Sequence, residues 1–259
     1  MVIREAKSSD KLHILKFCKN TFSWGDYIKD VWDHWLKEGN LLILEKNLPI
    51  GVCHGVFSQD QLWIEGIRIN SNFRRKGFAS NLVTQLESLA IQKKINTSLM
   101  LIDIENLPSL EMAKNLGYKI FQVWNFYSLL PQKNNAYEIS FGNMIQDDQF
   151  PHYVKSWRWV PLNKKSLLFL ESKNQIIFCK KDQNQSIAIL EESEHFKQTL
   201  IVTLFSGSKI NTMNIIFFLQ NFGFEKNFKR IQILTKEILP ESKNLEHKIS
   251  FHLMQKLLS

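Results

Sequence analysis

The sequence predicts an α+β fold on a mixed sheet, because hairpin-forming strands share it with helices that must cross between parallel strands. Leu41 to Glu45 and Ile50 to Phe57 are β-prone runs joined only by Lys46-Asn47-Leu48-Pro49, which reads as a hairpin. Gln61 to Ile69 is a further strand. It leads through a basic, glycine-containing turn into an amphipathic helix, and another strand, Ser98 to Ile104, follows.

Taken in order, Val2 to Ala6 reads as a strand, and Ser8-Ser9-Asp10 supplies N-cap candidates for a helix running to about Asn20. The aromatic segment Phe22 to Ile28 precedes a second helical pattern through Trp32, Trp35 and Leu36, which Gly39-Asn40 ends. The helix Ala79 to about Lys94 carries Leu82, Leu86 and Leu89 on one face. Ser109 to Leu116 is a short helix with Gly117 as its natural stop, and Tyr118 to Leu129 closes the unit as one or two strands. Pro131 to Asp148 is polar and lacks periodicity, so the expected division is a first domain over 1–130, a linker over 131–150 and a second, smaller α+β domain over 151–259.

In that second part Ser166 to Leu170, Gln175 to Lys180, Ser186 to Glu191, Gln198 to Phe205 and Phe228 to Ile238 read as strands. Asn211 to Phe222 reads as a helix stopped by Gly223. Leu99 to Ile104, a helix, and Asn115-Leu-Gly-Tyr have a counterpart in Leu200 to Phe205, a helix, and Asn221-Phe-Gly-Phe. Two accounts fit this order: an internal duplication, or two unrelated pieces sharing a strand-helix-glycine-strand motif.

Composition narrows the function. With 44% hydrophobic and 12% aromatic residues, a chain of 259 residues can bury a sizeable core. No run approaches the ~18 apolar residues of a membrane span, and Met1 to Lys7 lacks the apolar stretch of a secretory signal. Cys18, Cys53 and Cys179 are odd in number and set among apolar neighbours, reading as core thiols rather than disulfides or metal ligands. A cytoplasmic protein without a metal is expected. The net charge of +8 is spread through the sequence with acidic residues between, and no segment has the spacing of a nucleic-acid-binding motif. A basic surface also suits an anionic small molecule.

The stretch from Leu62 to Ser80 carries the chemistry. A strand runs into Arg74-x-x-Gly77-x-Ala79 and then a helix. Gly77 and Ala79 let backbone N–H groups approach an anion closely, and the helix start adds unpaired N–H groups and the positive end of its dipole. Arg74, Arg75 and Lys76 add charge at the same turn.

These residues resemble the GNAT family of acetyltransferases. That family places Gln/Arg-x-x-Gly-x-Gly/Ala after a strand, here Ile67-x-Ile69 and Arg74 to Ala79. Later it has an Asn after a strand, a short helix and Gly-Phe or Gly-Tyr, here Asn106, Ser109 to Leu116 and Gly117-Tyr118. The likeness extends over nearly all of 1–130. It implies a GNAT-fold N-terminal domain followed by a degenerate, GNAT-like C-terminal domain, with acetyl-CoA as cosubstrate. Ile67 and Ile69 would bond its pantetheine arm, Arg74, Arg75, Lys76, Gly77, Phe78, Ala79 and Ser80 its pyrophosphate, and Asn106 and Ser109 would lie near the sulfur end. Direct acetyl transfer to an amine needs a base.

Glu65 is the candidate for that base, with His54 on the neighbouring strand as second choice; Glu65 serves equally as a group that orients a cationic substrate. Two residues before Ile67, Glu65 is expected to share a face with Ile67 and Ile69, and Arg68 to point to the other face or the rim. Many family members carry a Tyr on the short helix where this chain has Ala113, so either another group serves as the acid, with Ser109 and Tyr118 nearest, or the thiolate leaves without assistance.

Glu65-Gly-Ile-Arg-Ile together with Asp26-Tyr27 and Trp35-Leu36 further resembles a branch that includes histidine N-acetyltransferase. This implies a small amine or free amino acid as acceptor. Tyr27, Trp32, Trp35, His54 and Arg68 would then shape its site, with Arg68 pairing a carboxylate, although core packing accounts for the tryptophans as well. A protein N-terminal or lysine acetyltransferase, and a non-catalytic acyl-CoA-binding module, remain as alternatives. The second half has no comparable turn and is expected to bind no CoA.

Overall fold

The computed structural model describes all residues except 20, 22–25, 59 and 143–149. The chain divides into two compact units, Met1–Phe121 with His252–Ser259, and Gln122–Phe251. The sequence suggests a boundary at 130. The contacts divide the chain nine residues earlier and return the last eight residues to the first unit.

The first unit holds β1 (Val2–Glu5), α1 (Lys11–Cys18), α2 (Ile28–Glu38), β2 (Leu41–Lys46), β3 (Leu48–Ser58), β4 (Gln61–Ile69), α3 (Phe78–Gln92), β5 (Thr97–Asp103), α4 (Leu107–Asn115) and the start of β6 (Lys119–Leu129). Strands β1 to β5 lie side by side in chain order. The first four pair antiparallel and β4 pairs parallel with β5 across the α3 crossover, so the sheet is mixed. Alternation splits the strands between two cores. Leu41, Ile43 and Val52 face α1 and α2, where Ile28, Val31, Trp32 and Trp35 form one helix stripe. Leu42, Leu44, Cys53, Leu62 and Ile64 face Leu82, Val83, Leu86 and Ala90 of α3 and Leu110 and Ala113 of α4.

The C-terminal residues join that second core. Met254 and Leu258 are buried in it, and Leu258 N–H donates to Asn96 O at 2.7 Å. Lys256 Nζ reaches the buried carboxylate of Glu87 on α3 at 2.7 Å. Asn20 and residues 22–25, the expected end of the first helix and most of the aromatic segment, lie outside the described residues.

The second unit takes up the rest of β6 and adds β7 (Ser140–Phe141), β8 (His152–Lys155), β9 (Arg158–Pro161), α5 (Lys164–Ser172), β10 (Ile176–Cys179), β11 (Ser186–Glu192), β12 (Thr199–Phe205), α6 (Lys209–Glu225), β13 (Arg230–Thr235) and part of β14 (Leu245–Leu257). Its strand order is β6-β13-β12-β11-β10-β7, with β12 and β13 parallel across α6 and the other pairs antiparallel.

The series β10-β11-β12-α6-β13 therefore repeats the strand order of β2-β3-β4-α3-β5. The sequence likeness matches Leu200–Phe205 to Leu99–Ile104, whereas the topology matches β12 to β4, one strand earlier.

Two expectations are corrected here. Ser166 to Leu170 is helix rather than strand, because Asn163 and Ser166 form a reciprocal capping box and Leu167 and Leu170 bury one face. Gly223 does not stop α6, which runs two residues further; a Cβ there would meet Ile231 Cδ1 at 2.7 Å, so this glycine makes room for β13. Asn227, with φ +57°, supplies the left-handed residue after the helix instead.

Candidate active site

Strand β4 governs the site through one irregularity. Opposite β3, Arg68 pairs with Val52 and Glu65 with His54, so two residues of β4 face the single Cys53. The extra residue is a β-bulge at Gly66, whose φ of +66° disfavours any side chain. A Cβ at Gly66 would also stand 2.5 Å from the Trp35 ring.

A bulge shifts the alternation by one residue, and this overturns both facing expectations. Ile67 and Ile69 pack toward α3. Glu65 and Arg68 turn together to the opposite face, where α2 lies.

On that face the sequence-derived residues form a connected set. His54 is fully buried and stacks on Trp35, with centroids 4.7 Å apart and an interplanar angle of 18°. Trp35 meets Tyr27 edge-on at 5.9 Å, and the Arg68 guanidinium lies 5.4 Å from the Tyr27 ring centroid. Burial pushes the Tyr27 hydroxyl up to about 12, so it stays protonated.

Glu65 accepts at Oε2 from Trp63 Nε1 at 3.1 Å, and its Oε1 lies 2.9 Å from His54 Nδ1. The other ring nitrogen, Nε2, lies 3.1 Å from Gly39 O and 3.8 Å from Glu38 Oε2. Glu5 completes the acidic surroundings; burial raises its carboxyl above the usual range.

Arg68 is already engaged. It donates to Asp26 through Nε at 2.7 Å and through a terminal nitrogen at 3.4 Å, and to Ile67 O at 3.0 Å. Burial disfavours the cation, yet Tyr27 and Asp26 outweigh it and hold the guanidinium charge firmly. Asp26 was not singled out from sequence as a site residue, since a pairing across 42 positions leaves no local signal.

The other half of the site is the turn before α3. Gly77 sits at φ +74° and ψ 5° as the N-cap, with no side-chain cap and no acidic residue in the first turn. Nothing comes within 4 Å of where its Cβ would be. Among the described residues, the backbone N–H groups of 77 to 80 have no protein acceptor. Arg74 Nε bonds Ile69 O at 3.1 Å, Lys76 Nζ lies over Phe73, and Arg75 is exposed with only a loose 3.9 Å approach to Glu111. Phe78, Ala79 and Ser80 form the first turn of the helix. Four consecutive free amides beside three cations can receive a di-anion such as a pyrophosphate.

Between turn and carboxylate the sheet opens. The β4–β5 ladder ends at Ile64 opposite Met100, while β4 continues to Ile69 and β5 to Asp103. Asn70 N–H donates to Ile50 O, so by alternation the N–H and C=O of Ile67 and Ile69 face the parted side. Across the gap Asn106 caps α4, accepting from Ser109 N–H at 3.3 Å.

Neither Ala113 nor Tyr118 offers an acid there. Ala113 is in the core, and Tyr118 is buried with its hydroxyl 2.6 Å from Ser98 Oγ, its pKa driven far up by burial. This removes Tyr118 from the candidate acids.

Residues 10–118 match the model of the acetyltransferase (GNAT) family. No curated protein matches the sequence. Among solved structures, a candidate acetyltransferase from Thermoplasma acidophilum is similar over 99% of this chain and 100% of its own, with TM-score 0.68 and 13% identity. A GCN5-related N-acetyltransferase from Sphaerobacter thermophilus is similar over 99% of this chain and 95% of its own, with TM-score 0.64 and 11% identity. At such identities the likeness is one of fold, and it spans both units.

Proposed function

We propose that this chain, whose residues 10–118 carry a GNAT-family domain, is an acetyl-CoA-dependent N-acetyltransferase acting on a small-molecule amine. The observation that carries the reading is the uncapped turn from Arg75 to Ser80, whose free amides and open glycine fit a CoA pyrophosphate. Bound there, acetyl-CoA supplies an acyl thioester whose carbonyl carbon takes the acceptor nitrogen and releases the CoA thiolate. Ile67 and Ile69 offer backbone groups to the pantetheine arm along the parted strands, and Asn106 and Ser109 flank its sulfur end.

Glu65 takes the ammonium proton as the nitrogen attacks. An amine fits the charges around it, since Glu5, Asp26, Glu38 and Glu65 outnumber Arg68 and His54. Arg68 is engaged with Asp26, so a carboxylate on the acceptor is not required. Free amino acids, histidine included, belong in an acceptor panel beside simple amines, polyamines and peptides.

The second unit is read as a degenerate GNAT-like repeat without a CoA site, because its strand order repeats while its turn does not.

The test is CoA release from acetyl-CoA across that panel, with wild type and Glu65→Gln. Turnover on a small amine that falls by about 10²–10⁴-fold in the variant supports the reading. Tight acetyl-CoA binding with no turnover on any acceptor would replace it with a regulatory binding module.

A further inference from the structure

We propose that His54 is a positioning residue for Glu65, holding one proton in the Nδ1–Oε1 contact so that the carboxylate meets the acceptor only through Oε2. The proposal rests on acetyl transfer as the reaction and adds to it a buried partner for the base. His54 is fully buried, so it touches no substrate and cannot itself take the ammonium proton.

Its two ring nitrogens face acceptors. The Gly39 carbonyl can only accept, which fixes a proton on Nε2 at 3.1 Å. With Nε2 protonated, a bare Nδ1 would oppose a carboxylate lone pair at 2.9 Å, and a proton in that contact turns the clash into a charge-assisted hydrogen bond.

The titratable groups around the imidazole come from three elements: Glu5 on β1, Glu38 on α2 with His34 beside it at 3.4 Å, and Glu65 on β4. Trp35 stacks on one ring face and fixes the plane of the imidazole. Trp63 Nε1 donates to Oε2, so both carboxylate oxygens are aimed. When the acceptor attacks, one ammonium proton passes to Oε2, the N–C bond forms as the thioester C–S bond breaks, the second proton lost by the nitrogen goes by way of solvent to the departing CoA thiolate, and the protonated Glu65 returns its proton to solvent.

The experiment compares wild type, Glu65→Gln and His54→Gln for kcat, acceptor KM, acetyl-CoA affinity and the pH dependence of kcat/KM. A proton NMR spectrum of wild type and Glu65→Gln accompanies it. In His54→Gln, acetyl-CoA affinity is expected to stay within about two-fold, kcat to fall by roughly 10–100-fold, and the acid limb to move to higher pH by about one unit. The limb moves upward because a carboxylate that has lost its proton-bearing partner ionises less readily.

A downfield imidazole proton is expected in wild type and lost in Glu65→Gln, a readout that needs no substrate. A His54→Gln enzyme with wild-type kcat and an unmoved acid limb overturns the proposal, and so does a downfield region identical in wild type and Glu65→Gln. If wild type turns over no amine, the acetyl-transfer reading itself fails, and the NMR result still decides whether the contact holds its proton.

Discussion

The molecule contains two turns that each lead from a strand into a crossover helix and on to a parallel strand, and the two treat their amides in opposite ways. Before α3, the N–H groups of 77 to 80 have no acceptor among the described residues, and the space beside Gly77 is open. Before α6, Gly207 N–H donates to Ser186 Oγ at 2.9 Å, Ser208 N–H to Asn184 O at 2.8 Å and Asn211 N–H to the capping Ser208 Oγ at 3.3 Å. A Cβ on Gly207 would overlap the carbonyl oxygens of Asn184 and Gln185.

The fully buried Asn211 side chain ties that loop down, donating to Asp182 Oδ1 at 2.8 Å and Asn184 O at 2.9 Å and accepting from Lys181 N–H at 2.8 Å. Buried amides must be paired, and here the chain pairs them itself. A helix start therefore becomes a ligand site only where the protein withholds its own acceptors. Glycine appears in both turns for different reasons: at Gly77 for a left-handed backbone, at Gly207 for space.

The largest expected effect of disturbing this contrast comes from Gly77→Asp. A carboxylate beside the free amides competes with an incoming anion, and acetyl-CoA affinity should fall by about 100-fold in a calorimetric titration. Thermal stability should also fall, by about 1 kcal/mol, because a side chain at φ +74° is strained, a cost that the favourable placing of a negative group at a helix start offsets only in part.

Gly207→Ala and Asn211→Ala should do the reverse. Overpacking against backbone in one, and orphaned buried partners in the other, should each cost about 1–3 kcal/mol in denaturant unfolding. Acetyl-CoA affinity of the folded protein should be unchanged. Equal effects of Gly77→Asp and Gly207→Ala on affinity would erase the distinction between the turns.

The smallest effect is that of replacing Arg75 and Lys76 together by Ala. Both side chains are exposed and screened, so affinity should weaken by only about 3–10-fold, and the loss should shrink as salt is raised.

The same contrast marks what was legible in the sequence. The open turn was, since Gly77, Ala79 and the basic residues are local and stand directly after β4, whose bounds match the expected strand Gln61 to Ile69. The closed turn was not, because its acceptors come from a loop some 20 residues upstream. Gly66 carried a readable signal, an isolated glycine inside a strand, which commonly marks a bulge. The bulge there reverses the facing of Glu65 relative to Ile67 and Ile69 and brings it to the same face as Arg68. The run Ser166 to Leu170 has strand-like composition, and only the cap at Asn163 and the buried pair Leu167 and Leu170 identify it as helix. Strand β14, rich in Lys and His, gives little apolar alternation, and its return to the first unit is a tertiary fact.

The most direct test is the stoichiometry of acetyl-CoA binding to the full chain by equilibrium titration. One molecule per chain is expected, lost in Gly77→Asp and retained in Gly207→Ala. Two molecules per chain, or a single site that survives Gly77→Asp with full affinity, would contradict the assignment of the cosubstrate to the turn before α3.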